Sequence, residues 1–170
     1  MIVGFFVLAS ILAACGNAER QAAAGASNDA QAGWVDTDKY DLFDRECEML
    51  TTEQMGEAIG QTIIGDSFTG PICRWSATGD VWVTFNWFEW NTMAREKDVA
   101  RRLGYTTETR KINSATVFTQ RDPQRPGTCG VTAKASGRGI YTWFVNQPVA
   151  VGDPCDAPLK LMELVLKASA

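Results

Sequence analysis

From Val81 to Trp90 the chain alternates with a period of two. Val81, Val83, Phe85 and Trp87 fall on one side, and Trp82, Thr84, Asn86, Phe88 and Trp90 on the other. The first set is an ordinary core stripe; the second interleaves large aromatics with small polar groups. Residues 72–77 carry the same β-branched and aromatic signature and pair with 81–88 as a hairpin across Thr78-Gly79-Asp80. Strand-like segments follow at 106–112, 115–120, 130–135 and 140–146, separated by turn residues such as Ser136-Gly137-Arg138-Gly139. Helical signals frame three other segments. In Leu50-Thr51-Thr52-Glu53-Gln54-Met55, Thr51 caps, Gln54 holds the capping-box position, Leu50 can staple to Met55, and Gly60 ends the helix. Asn91 caps a second helix that ends at Gly104, with Met93, Ala100 and Leu103 on one face and Arg95, Lys97, Asp98, Arg101 and Arg102 on a solvated one. Asp156 and Pro158 open a last helix through Leu161, Met162, Val165 and Leu166. Strands that outnumber helices and run as hairpins predict an α+β fold, an antiparallel sheet covered by helices.

Before residue 34 the pattern changes. Residues 2–14 are an apolar run too short to span a bilayer. Leu12-Ala13-Ala14-Cys15, followed by Gly16, resembles the lipobox of bacterial lipoprotein signal peptides. That resemblance implies that residues 1–14 are removed and that Cys15 carries a diacylglycerol, whose chains each contribute ~0.8 kcal/mol per buried methylene to membrane attachment. No Lys or Arg precedes the run, so the α-amino group serves alone or the true start lies upstream of Met1. Residues 15–33, rich in Ala, Gly, Ser, Asn and Gln, read as a flexible tether with a reach of roughly 20–25 Å. Residues 34–170 suffice for a single domain with a real core. The expected location is the cell membrane, lipid-anchored on the extracytoplasmic face.

The net charge of −4 is distributed unevenly, with acidic residues concentrated in 29–66 and basic ones in 91–139. An acidic, exported chain without basic–aromatic interleaving argues against nucleic acid as a partner. The basic region suits a surface lying near anionic headgroups. With no histidine in the chain, Ser-His-Asp and Cys-His arrangements and His-ligated metals are unavailable, and we expect neither catalytic residues, nor a metal, nor a cofactor. Ser136 near Lys134 is a weak candidate for a Ser–Lys pair, better read as part of a solvated Gly-rich turn. Asp36, Asp38, Asp41 and Asp44 share the acidity of a calcium loop but lack its glycine and terminal glutamate.

Cys47, Cys73, Cys129 and Cys155 remain after Cys15. In an exported domain they read as two disulfides with three possible connectivities. Equal separations favour Cys47–Cys73 and Cys129–Cys155, each linking a residue near a helix start to one in or beside a strand. Zinc is disfavoured because no two of these cysteines are close in sequence. The aromatic face of residues 81–90 is the best candidate for a ligand surface, with Trp82, Thr84, Asn86, Phe88 and Trp90 as its residues. The competing expectation is that a helix covers that face and makes it core. Glu89, among these aromatics, is expected at an exposed strand end.

Asp44-Arg45-Glu46-Cys47-Glu48-Met49-Leu50-Thr51, Cys73-Arg74-Trp75, Thr128-Cys129-Gly130-Val131 and Asp153-Pro154-Cys155 together resemble the actinobacterial lipoprotein family of unknown function numbered 3558, LprB/LprC-like. The resemblance covers about residues 40–170, implies an envelope lipoprotein, supports the cysteine pairing and transfers no catalytic residue. In element order alone the chain is also similar to the Mog1/PsbP-like sandwich. The function expected is a non-catalytic binding module for an apolar, glycan or peptide ligand, or, alternatively, an accessory subunit docking on an envelope membrane protein.

Overall fold

Thr51 starts the first helix as its sequence predicts. The computed structural model describes residues 47–69, 72–149 and 151–168, all within a unit spanning Leu42–Ala170. The leader 1–14, Cys15, the tether 15–33 and the aspartates at 36, 38, 41 and 44 lie outside the described residues. In helix α1 (Thr52–Ile59) the Thr51 hydroxyl accepts from the Gln54 amide at 3.1 Å, and the Gln54 side chain accepts from the Thr51 amide at 2.9 Å. Two of the four orphan amides of the first turn are thereby satisfied reciprocally. Gly60 closes the helix at φ 69°, a left-handed conformation that favours glycine.

Seven antiparallel strands follow: β1 (Ile63–Thr69), β2 (Ile72–Ala77), β3 (Val81–Phe88), β4 (Thr106–Ile112), β5 (Ala115–Arg121), β6 (Thr128–Lys134) and β7 (Ile140–Asn146). The first three form a meander. Helix α2 (Met93–Arg102) then carries the chain to the far edge, and β4 to β7 return as a second meander, so that β7 pairs with β3. The sheet order is β1-β2-β3-β7-β6-β5-β4. Helix α3 (Asp156–Ala168) closes the domain. The fold is α+β, an antiparallel sheet with helices on it. Among the described residues no helix is long and apolar enough to cross a membrane.

The register separates two sheet faces. Trp75, Val83, Phe85, Val131, Trp143 and Val145 share one face, with α1 (Met55, Ala58, Ile59) and α3 (Leu161, Met162, Val165) in the same buried cluster. Trp143 is the centre of this core, 4.7 Å from Phe85 and 5.6 Å from Trp75 between ring centroids. Both cysteine pairs stand at disulfide distance on this face: Cys47–Cys73 with Cα atoms 5.6 Å apart, and Cys129–Cys155 at 5.1 Å. One ties the chain leading into α1 to β2; the other ties the start of α3 to β6. Beside the second, both terminal guanidinium nitrogens of Arg121, Nη1 and Nη2, meet the Asp153 carboxylate, at 2.7 and 2.8 Å. The Arg121 hydrogen bond comes first among the causes that bring the Asp153 carboxyl down to about 2.

The structure departs from the sequence expectations in four places. Strand β1 was not expected, because Gly65 and Asp66 interrupt its pattern; it is an edge strand with an irregular register at Ile63/Gly65. Thr92, not Asn91, caps α2: its hydroxyl accepts from the Arg95 amide at 3.3 Å, while Asn91 accepts from the Thr92 amide and donates to Glu96. Leu103 lies beyond the last helical residue and is 70% exposed rather than apolar-face packing. Strand β6 begins at Thr128, two residues earlier than its alternation suggests, because 128–133 are buried on both faces.

Candidate functional site: a cleft on the second sheet face

Alternation alone decides what the second face presents. Where Cys73 and Trp75 point into the core, Arg74 points away, and where Cys129 and Val131 point in, Thr128 and Gly130 point away. Cross-strand pairing sets Arg74 opposite Thr84, Thr84 opposite Phe144, Phe144 opposite Gly130, and Asn146 between Trp82 and Thr128. These side chains form two adjacent rows across β2, β3, β7 and β6.

Helix α2 covers only the other part of this face. Its Ala100 is buried, and Lys97 donates to the Thr109 hydroxyl at 2.7 Å while its ammonium lies 5.8 Å from the Phe118 ring centroid. Beneath it the sheet is unusually polar: Gln120 donates to Thr132 at 2.7 Å, and the Thr132 and Thr142 hydroxyls share a hydrogen bond at 2.9 Å. The helix cap then shapes what lies beside it. Gly104 takes φ 85°, its amide donating to Arg101 and the Tyr105 amide to Ala100, and this turn sets Tyr105 at the helix edge.

Between that edge and β2 lies a cleft of about 400 Å³. Its apolar lining is Trp82, Phe144 and Tyr105; its polar lining is Thr84, Asn146 and Thr128; Arg74 and Arg125 complete it. The Phe144 ring lies over β6 only because residue 130 is glycine, where a Cβ would stand 2.4 Å from a ring carbon. Arg125 is delivered by the 122–127 turn. Asp122 accepts from the Gln124 amide at 2.9 Å and from Arg125 Nε at 2.7 Å, and Arg125 Nη2 reaches Tyr105 Oη at 3.5 Å. The Arg125 hydrogen bond is the first cause holding the Asp122 carboxyl below the usual carboxylate range. The Thr128 hydroxyl and the Asn86 carbonyl are buried without a hydrogen-bond partner, a costly state for polar atoms.

Of the residues singled out from sequence, Trp82 and Thr84 line the cleft, and Trp82 is 50% exposed, so no helix covers it. Asn86 is half-buried in the next row, opposite Thr142. Phe88 and Trp90 are not part of the lining. Phe88 is on the same face but two rows beyond Thr84, opposite Ile140; β3 ends there, the chain turns, and Trp90 leaves the alternation with 78% exposure, under the Arg138 guanidinium at 4.4 Å. Glu89 is partly buried and pairs with Arg138 at 3.2 Å. Gly139 permits this close approach, since a Cβ there would stand 2.1 Å from the Phe88 carbonyl oxygen. Lys134 and Ser136 are both exposed, and no hydrogen bond joins them.

Sequence reasoning missed Arg74, Tyr105, Arg125, Thr128, Phe144 and Asn146. For Arg74, Thr128 and Phe144 the alternation held the signal; Tyr105 and Arg125 come from a helix cap and a turn, which no strand pattern reaches. Larger hollows exist elsewhere. One lies beside Cys47, one beside Val149 and Val151, one along α1 with Ile63 as its sole large apolar group, and one between β4 and α3 among Arg110, Lys111, Lys160 and Glu163.

A family model described as "Protein of unknown function (DUF3558)" matches residues 10–168. The chain belongs to the DUF3558 family. The match begins within the N-terminal apolar run and takes in Cys15 as well as both disulfide pairs. No curated protein and no solved structure matches the chain, so no structural relative supports the Mog1/PsbP-like likeness.

Proposed function

We propose that this chain is an envelope lipoprotein, anchored by a diacylglycerol on Cys15 at the extracytoplasmic face of the cell membrane, whose domain is a non-catalytic binding module. The actinobacterial, LprB/LprC-like character rests on the sequence motifs. The observation that carries the binding reading is the cleft itself: aromatic area at Trp82, Tyr105 and Phe144 supplies contact, and Thr84 and Asn146 supply orientation. Its ligand is a small apolar, glycan or peptide component of the envelope. Docking on a membrane-protein partner is the second reading, favoured by edge strand β1, where Ile64 is 67% and Phe68 50% exposed.

Native mass spectrometry of the chain purified from its own host tests the binding reading. A retained small molecule in the wild type, lost in Trp82→Ala while the domain stays folded, is the expected result; no retained molecule in either sample puts the docking reading ahead. Cys15→Ala tests the anchor. The expected outcome is a precursor uncleaved before residue 15 that lacks diacylglycerol by intact mass and stays out of the detergent phase; normal processing contradicts it.

A further inference from the structure

Building on that binding reading, we infer that the ligand of the cleft is a phosphate ester bearing a ring or a short apolar body, with the phosphate held between Arg74 and Arg125. Both guanidinium groups line the cleft and no carboxylate does, although the chain as a whole carries a net charge of −4. Arg74 has no ion-pair partner among the described residues. Arg125 is fixed through its Nε by Asp122, which leaves its terminal nitrogens directed to Tyr105 and the cleft. Two cations, of which only Arg125 is paired with a carboxylate, leave an unbalanced positive charge beside a low-dielectric aromatic wall, where an anion is attracted more strongly than at an open surface. A phosphate, with oxygens pointing in several directions, can bridge donors on two walls, whereas a planar carboxylate fits one guanidinium fork.

The body of the ligand has its place as well. Trp82 and Phe144 stand on neighbouring strands, and Tyr105 closes the far side, so a ring or short chain attached to the phosphate lies against them. The Cys73-Arg74-Trp75 and Thr128-Cys129-Gly130-Val131 steps thereby acquire a second purpose. In each, the cysteine bolts the strand to the core from behind, and its neighbour forms the cleft in front.

The test uses the lipidated full chain in nanodiscs of phosphatidylcholine, titrated calorimetrically with phenyl phosphate, inorganic phosphate and phenol. Phenyl phosphate is expected to bind about tenfold or more tightly than phenol or inorganic phosphate, to weaken about tenfold in Arg74→Ala, and to weaken with added salt. Arg74 is exposed on the sheet face, so its replacement leaves the core intact. Nanodiscs containing phosphatidylglycerol separate the two sources of such a group. A headgroup ligand lowers the apparent affinity for phenyl phosphate by competition, and a soluble phosphate ester leaves it unchanged; either supports the inference. Equal binding of phenol and phenyl phosphate, or binding indifferent to Arg74→Ala, overturns it while leaving the cleft a binding site. Absence of phenyl phosphate binding together with an uncharged molecule retained in the native mass spectrum overturns the inference alone; absence of both overturns the binding reading too.

Discussion

The two faces of the same sheet are built by one alternating sequence and behave oppositely. On the core face, Trp75, Val83, Phe85 and Trp143 are at most 5% exposed and locked beneath α1 and α3. On the other, α2 covers β4 to β6 over a polar ladder, and the rows carrying Arg74, Trp82 and Phe144 stay open. Shape explains the division. The core face has two helices, two disulfides and an Arg–Asp clamp holding its cover in place; the second has a single short helix that ends at Arg102, before the Gly104 turn. What differs is how much of each face a helix can reach.

Breaking the core face should produce the largest effects. Leu161 is fully buried on α3, and Leu161→Ala should cost about 3–5 kcal/mol in chemical denaturation through the cavity it leaves. Replacing Cys129 and Cys155 together by alanine should cost about 3–4 kcal/mol, from the loop entropy of a 26-residue separation. Mass mapping without reduction should show Cys47 joined to Cys73 and Cys129 to Cys155; crossed pairs would contradict the placement of α1 and α3.

An intermediate effect is expected where the two faces meet. Gly130→Ala inserts a methyl where the Phe144 ring lies, forcing the ring to swing. Stability should fall by about 1–3 kcal/mol from overpacking, and the cleft should lose its floor, so that any bound molecule is lost with the fold retained. Ligand retention unchanged in this variant would show that Phe144 is not part of the site.

Much of this division was legible beforehand. The capping box at Thr51 and Gln54, six of the seven strands and the equal spacing of the cysteine pairs are local signals, and apart from the early start of β6 each appears where its residues predict it. The alternation of 81–88 also gave both faces of β3 correctly. What it could not give is which neighbours arrive beside them. Arg74 and Phe144 join Trp82 only through sheet pairing, and Tyr105 and Arg125 come from a helix cap and a six-residue turn. Phe88 shares the face of Trp82 but sits further along β3, opposite Ile140 and outside the cleft, and Trp90 was placed with them because period two was extended past the point where the strand ends.

The smallest effect concerns pH. Asp153 has its carboxyl lowered to about 2, first by the Arg121 hydrogen bond, against an ordinary value near ~3.9 when unfolded. A depressed acid contributes stability above its unfolded pKa and loses it as pH falls through the folded one. The clamp should therefore be fully present above about pH 5 and lost between about pH 4 and 2. With a third of each side chain exposed, solvent screening reduces its worth to about 1 kcal/mol. Asp153→Asn should flatten that part of the acid denaturation profile; an unchanged profile would assign the clamp no role.

Trp75 and Trp82 are the same residue on neighbouring strands and opposite faces, 5% and 50% exposed. Chemical denaturation of Trp75→Ala and Trp82→Ala side by side therefore tests the division of the sheet most directly. Trp75→Ala should lose about 3–5 kcal/mol, and Trp82→Ala about 1–2 kcal/mol with its core intact. A loss in Trp82→Ala equal to that in Trp75→Ala would make both faces core and remove the binding surface.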